Sequence, residues 1–201
     1  MIQINHVKKA IGGHVIFDDL SMQIADREFA VLTGPSGCGK TTLLHMIEPV
    51  DSGDILVGDF NVANGKNLMH YYRHEVGFLF QNFALVERKT VAENLGMIRK
   101  DARSSLSMVD ALRRVGMEGK ETQMVYSLSG GEQQRIALAR LMMKQCSLIL
   151  ADEPTGSLDP NNAAQVMEIL KSFSEMGKTV IMVTHAPNLI EPSMRHIALD
   201  A

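Results

Sequence analysis

Residues 34 to 41 read Gly34, Pro35, Ser36, Gly37, Cys38, Gly39, Lys40 and Thr41, the spacing G-x-x-x-x-G-K-[ST]. An apolar run, Phe29 to Thr33, precedes them, and a stretch of helical character from Thr42 to Ile47 follows. A glycine-rich turn between a strand and a helix lets backbone N–H groups close around phosphate oxygens, and the helix start adds partial positive charge. In that setting Lys40 reaches the terminal phosphates and Thr41 ligates Mg²⁺. Such a site needs a carboxylate close to the metal. Leu148 to Ala151 is an apolar strand running straight into Asp152 and Glu153, at the carboxyl edge where ligands of open α/β sheets bind. Asp152 is then expected in the metal shell, and Glu153 is expected to orient and deprotonate an attacking water. A third apolar strand, Val180 to Thr184, delivers His185 to the same edge, where an imidazole can hydrogen-bond a γ-phosphate. The plain alternatives are a glycine turn with an exposed lysine, a solvated acidic turn before Pro154, and a structural histidine. Three strands presenting these groups at one edge favour the phosphate site.

Ser129, Gly130, Gly131, Glu132, Gln133 and Gln134 open a helix whose apolar side includes Ile136, Leu138 and Leu141. Ser129 and Glu132 fit a capping box, but each glycine in a first turn costs up to ~1 kcal/mol relative to alanine. Two in succession imply that something approaches the backbone closely, and a phosphate is the expected visitor. Residues 34 to 41 already hold one, so the second helix start is expected to face a nucleotide bound by another copy or a partner.

The elements that must position these groups follow from periodicity. Strand-like stretches run from Ile2 to Val7, Val15 to Ile24, Phe29 to Thr33, Asp54 to Val57 and Val76 to Phe80. The middle, from about Thr90 to Met143, reads as helical, with a second capping box at Thr90 and Glu93. A further helix starts at Asp159 as N-cap with Pro160 at its first position, and Val166, Ile169, Leu170 and Phe173 mark its buried face. Strand and helix in alternation predict an α/β domain around a mostly parallel sheet, with the helical middle set aside as a subdomain.

Composition narrows the function class. With 201 residues, 45% hydrophobic and 21% charged, the chain is long enough for one globular domain and short of two. A net charge of −3 and no tryptophan count against a nucleic-acid partner. Apolar runs fall far below the roughly 18 residues of a spanning helix, and the N-terminus lacks the apolar stretch of a secretion signal. The only cysteines, Cys38 and Cys146, form no disulfide or zinc framework. A cytosolic, reduced protein is expected, and the fourteen methionines read as core filling.

Residues 34–41, Leu128 to Gln134 and Leu148 to Glu153, in this order, resemble an ABC-transporter ATP-binding subunit across essentially the whole chain. Gln81 in LFQN, Ser157-Leu158-Asp159 and His185 in VTHA complete the likeness. It implies an α/β P-loop NTPase core, about 1–81 and 144–201, with an N-terminal antiparallel β part and a helical subdomain, about 82–143. ATP and Mg²⁺ are the implied cofactors. Residues 34–41 with Thr42, together with Ile11, Ser129, Gly130, Gly131, Glu132 and Asp159, are the implied nucleotide contacts. Thr41, Gln81 and Asp152 are the implied metal contacts, and Glu153, His185 and Gln81 the catalytic set. The resemblance further implies a head-to-tail homodimer sandwiching two MgATP, with Ser129 and Gly131 of one subunit facing the γ-phosphate bound by the other. It also implies an integral membrane permease partner, sensed by Gln81, that holds the chain at the inner face of the cell membrane.

FQNFALVERKTVAENL, VYSLSGGEQQRIALAR and LILADEPTGSLD are similar to the macrolide-exporter and lipoprotein-release group, nearest its short subunits of lactococcin-type bacteriocin export. A peptide, bacteriocin or lipid-linked substrate is therefore implied. The competing function is an ATPase of a cell-envelope regulatory complex that transports nothing. Two departures stand out. Ile11 occupies the place where the family puts an aromatic residue to stack on adenine, and the stretch between Ile47 and Asp51 is short, with no glycine to end its helix.

Overall fold

A computed structural model describes residues 1–45, 50–63 and 68–199. Its strands are β1 (Ile2–Ile11), β2 (His14–Ile24), β3 (Phe29–Thr33), β4 (Ser52–Val57), β5 (Phe60–Asn61), β6 (Val76–Leu79), β7 (Leu148–Asp152), β8 (Thr179–Val183) and β9 (Arg195–Ala198). Its α-helices are α1 (Lys40–His45), α2 (Leu68–His70), α3 (Val91–Gly96), α4 (Met108–Arg114), α5 (Gly130–Met142) and α6 (Pro160–Glu175). A parallel sheet of order β6-β7-β8-β3-β9 forms the centre, and an antiparallel sheet of order β2-β1-β4-β5 stands beside it. The runs FAVL in β3 and LILA in β7, and all five residues of β8, are buried, as strands covered on both faces must be.

Alternation along those strands divides the core in two. Val31, Leu79, Ile149, Ala151, Val180 and Met182 pack against residues of α3 to α6. Their neighbours Ala30, Leu32, Leu148, Leu150, Ile181 and Val183 face the other way, toward Leu43 and Leu44 of α1 and the inner side of the antiparallel sheet. The sheet is thus held between two apolar layers, and the chain leaves its carboxyl edge at Gly34, Gln81, Glu153 and Thr184.

Both capping boxes form. Thr90 Oγ1 accepts from the Glu93 N–H at 3.2 Å, and Ser129 Oγ accepts from the Glu132 N–H at 3.3 Å. Asp159 caps α6 through the N–H groups of Asn161 and Asn162. Several expectations need correction. β1 continues to Ile11 and β2 begins at His14, because the pair closes on the tight Gly12-Gly13 turn. β4 begins at Ser52. The helical middle is broken into the short α3 and α4, joined by turns and single 3₁₀ turns, since left-handed glycines at 116 and 119 end the local helix. β5 and β9 are additional strands, each paired along one side of a longer neighbour. Met117, Met142, Met143, Met167, Met182 and Met194 do fill the core, but Met69 is 73% exposed and Met97 43%. The short stretch after Ile47 falls on residues 46–49, outside the described residues. Among the described residues no helix is long and apolar enough to cross a membrane, and both cysteines are buried and unpaired.

Candidate functional site

The 34–41 turn joins the end of β3 to the start of α1 and curls around a single ammonium. Lys40 is buried, at 5% exposure, and its Nζ donates to the carbonyls of Gly34 at 2.9 Å and Pro35 at 2.7 Å. Cys38 is buried beside it, with Sγ 3.7 Å from Nζ. Gly39 has φ of 90° and sits under β2, where a Cβ would stand 2.5 Å from Ile16 and 2.6 Å from Phe17. No other residue type fits there. Thr41 is exposed and Thr42 partly so, both in the first turn of α1.

β7 and β8 present the acidic and imidazole groups. Glu153 has a left-handed backbone, φ 46°, unusual for a residue with a side chain and fixed by its neighbours. Its N–H donates to Val183 O at 3.1 Å, and its carbonyl accepts from the Gly156 N–H at 3.2 Å. One carboxylate oxygen, Oε2, accepts from the His185 N–H at 3.4 Å. The other, Oε1, is buried without a hydrogen-bond partner, and His185 Nε2 stands 3.6 Å from it, just beyond hydrogen-bond reach. Gln81 lies across the same space, with its amide nitrogen 3.6 Å from where a Cβ on Gly156 would sit. These three residues line one cleft of about 710 Å³. Lys40 and Thr41 do not line it: β8 separates β7 from β3, so the phosphate turn begins about 10 Å away along the sheet edge.

At the start of α5 the side-chain amide of Asn162 crowds Gly131, and any Cβ there would project into it. Asn162 is itself gripped, accepting from Arg135 Nη1 at 2.5 Å and donating to Asp159 Oδ2 at 2.5 Å. That last bond and the capped N–H groups hold the Asp159 carboxyl below the usual carboxylate range. Bonding from the Ser129 N–H does the same for Glu132. Ser129 and Gly130 are exposed, so the helix start is open to a second molecule even though Gly131 is explained within the chain.

Sequence reading passed over three residues here. Gln134 is fully buried and donates through Nε2 to Pro154 O at 2.7 Å, tying α5 to the turn that carries Glu153. Its signal was present: a polar residue at i of an apolar i, i+4, i+7 stripe with Leu138 and Leu141. Asn162 and Arg140 carry no such signal for the contacts that matter here, because Gly131, Arg135 and the Phe83 and Ala84 carbonyls lie on distant segments. The 81–89 loop divides its apolar side chains between core and surface. Phe83 and Leu85 pack against the core, while Val86 is 43% exposed. Ile11 is 43% exposed at the end of β1, opposite His14 and one short turn from the β2 residues that press on Gly39.

Among the described residues no three His, Cys, Asp or Glu side chains converge. The orphaned Glu153 Oε1 is an acceptor poised for a donor such as water. Comparison with known proteins agrees. The ABC transporter family model matches residues 17–156. The cell division ATP-binding protein FtsE of Mycobacterium tuberculosis is 36% identical over 213 residues, covering 100% of this chain and 91% of its own. The ABC transporter ATP-binding protein YxdL of Bacillus subtilis is 38% identical over 201 residues, covering 93% and 78%. The dimeric, post-hydrolysis structure of the ATP-binding cassette MJ0796 bound to ADP and Pi superposes with a TM-score of 0.83 at 29% identity, covering 99% of this chain and 94% of that one. By sequence and by shape the chain matches ATP-binding cassettes, and it belongs to the ABC transporter family as an ATP-binding, ATP-hydrolysing cassette.

Proposed function

We propose that this cassette powers a membrane permease that exports or extracts a peptide, bacteriocin or lipid-linked substrate, in the manner of the macrolide-exporter and lipoprotein-release group. The observation that carries the reading is the cleft in which Gln81, Glu153 and His185 meet. In this reading Gly34, Pro35, Ser36, Gly37, Cys38, Gly39, Lys40, Thr41 and Thr42 hold the phosphates, and Ile11 borders the base. Thr41, Asp152 and Gln81 hold Mg²⁺, which when bound neutralises charge building on the phosphates. Glu153 Oε1 takes a proton from water at the γ-phosphate, and His185 donates a hydrogen bond to that phosphate. Ser129, Gly130, Gly131, Glu132 and Asp159 face the nucleotide of a second copy in a head-to-tail homodimer. In this reading the chain comprises a core, about 1–81 and 144–201, and a helical subdomain, about 82–143.

A second cavity supports a docking partner. It measures about 670 Å³ between the π-helical turn Tyr71–Glu75 and α5, with Tyr72, Phe78, Ile98 and Leu141 among its walls and Met69 and Met97 exposed at its edge. Arg73, Arg99, Arg140 and Lys144 line it, with Asp101 paired to Arg73 and Arg99, which leaves the groove net basic. An apolar segment of the permease bearing acidic side chains fits such a groove, and it would hold the chain at the cytoplasmic face of the membrane. The test is co-purification with the native permease. Met69→Asp and Met97→Asp, both exposed at the edge of the groove, are expected to leave folding and basal phosphate release intact and to abolish co-purification. Retained partner in both variants would remove the groove from the proposal. The cell-division relative favours a second reading, a complex that signals across the envelope and transports nothing. Reconstituting the purified complex in vesicles decides between them: ATP-dependent movement of a labelled peptide or lipoprotein supports export, and hydrolysis without movement supports signalling.

A further inference from the structure

The loop that follows Gln81 is bent against its own preference. Phe83 and Ala84 have φ of 62° and 48°, two consecutive left-handed residues that both carry side chains, a conformation that persists only where surrounding structure imposes it. Within the loop, the Phe83 N–H donates to Phe80 O at 3.0 Å and the Ala84 N–H to Asn82 O at 2.7 Å. The carbonyls of the same two residues are both taken by one side chain from the far end of α5. Arg140 Nη1 donates to Ala84 O at 2.7 Å, and Nη2 donates to Phe83 O at 3.2 Å. The helix beneath is fixed, since Ile136, Leu138 and Leu141 are buried in the main core. Burial pulls the guanidinium below its ordinary pKa, and among the described residues no carboxylate pairs with it. A charged group spent on two loop carbonyls marks the loop as something held in place.

We propose that Arg140 is the positioning residue of the Gln81 loop: its two-pronged bond to the Phe83 and Ala84 carbonyls holds the left-handed bend that keeps the Gln81 amide in the cleft beside Glu153. The planar fork of arginine spans two carbonyls at once, and a lysine ammonium, a point charge on a flexible stem, does not hold the same geometry. Arg140 also lines the basic groove, so a group seated there touches the strut and through it the loop. The proposal rests on the function given above only for what Gln81 does once it is in place.

The experiment uses the full chain with MgATP and measures steady-state phosphate release and amide hydrogen exchange over residues 82–85 for wild type, Arg140→Ala and Arg140→Lys. Both variants are expected to lose ~10–100-fold in kcat with KM for ATP within about threefold, as displacement of a group that acts in the chemical step while the phosphate turn still binds nucleotide dictates. Exchange in the loop is expected to quicken in both. In Arg140→Ala, millimolar guanidinium chloride is expected to restore part of the rate, while sodium chloride at the same concentration does not. Wild-type kcat and loop exchange in either folded variant would overturn the proposal, as would a rate loss in Arg140→Ala that guanidinium leaves untouched while Arg140→Lys is fully active. If Arg140→Ala does not fold, Arg140→Lys decides alone. A wild-type chain that binds MgATP without hydrolysing it would count against the proposed function, and the exchange measurement would still judge the strut.

Discussion

Ile11 stands where the family resemblance implies an aromatic residue. At 43% exposure beside the hairpin turn it offers a contact surface but no π face, and aromatic stacking on a base is worth ~1–3 kcal/mol. Weak discrimination between ATP and GTP is therefore expected, with Ile11→Tyr tightening ATP by ~0.5–2 kcal/mol. Calorimetric titration of both nucleotides into both proteins checks this, and an unchanged ATP affinity in the variant would mean that another residue already covers the base. At this scale the sequence was most legible where chemistry demands a local pattern: the turn around Lys40, the pair Asp152 and Glu153, and the strand end at His185 can each be read from a few neighbours. It was least legible where a contact joins remote segments. Nothing near Asn162 announces that its amide fills the space over Gly131, and nothing near Arg140 announces two carbonyls some 56 residues earlier in the chain.

Between elements, α5 is bound to the catalytic segment at two points, through Gln134 to Pro154 and through Arg135 and Asn162 to the cap of α6. These bonds tie the first turns of α5 to the Glu153 turn and the start of α6. Gly131→Ala tests this clamp. The new methyl must displace an Asn162 amide that two other groups hold, and overpacking of this kind costs typically 1–3 kcal/mol. Asn162→Ala in the same chain removes the obstacle, so the double variant is expected to recover most of the stability lost by Gly131→Ala in urea unfolding. Strictly additive losses would show that the two residues do not meet. Element types were legible wherever both ends were marked, as at the Thr90 and Ser129 capping boxes and at Asp159 with Pro160. β5 and β9 were not, for a physical reason. A two-residue strand is too short to show alternation, and β9, on the sheet edge with three of its four residues exposed, owes its extension to pairing with β3 rather than to its own pattern.

Over the whole molecule, the parallel sheet divides two apolar layers and gathers every polar group of the site at one edge. That arrangement followed from alternating strand and helix signals and from the near-continuous apolar character of β3, β7 and β8. The meeting of Gln81, Glu153 and His185 in a single cleft, with the phosphate turn set apart, depended on the strand order β6-β7-β8-β3, which periodicity alone does not specify. Lys40 closes the turn after β3 and Glu153 stands at the end of β7, two strands away, so the proposed reading assigns phosphate holding and water activation to different elements. The most direct measurement is steady-state phosphate release from MgATP by Glu153→Gln, with ATP binding followed in the same preparation. Loss of the general base is expected to lower turnover by ~10²–10⁴-fold while ATP still binds as in wild type. Near-normal phosphate release from a folded Glu153→Gln protein would contradict the account.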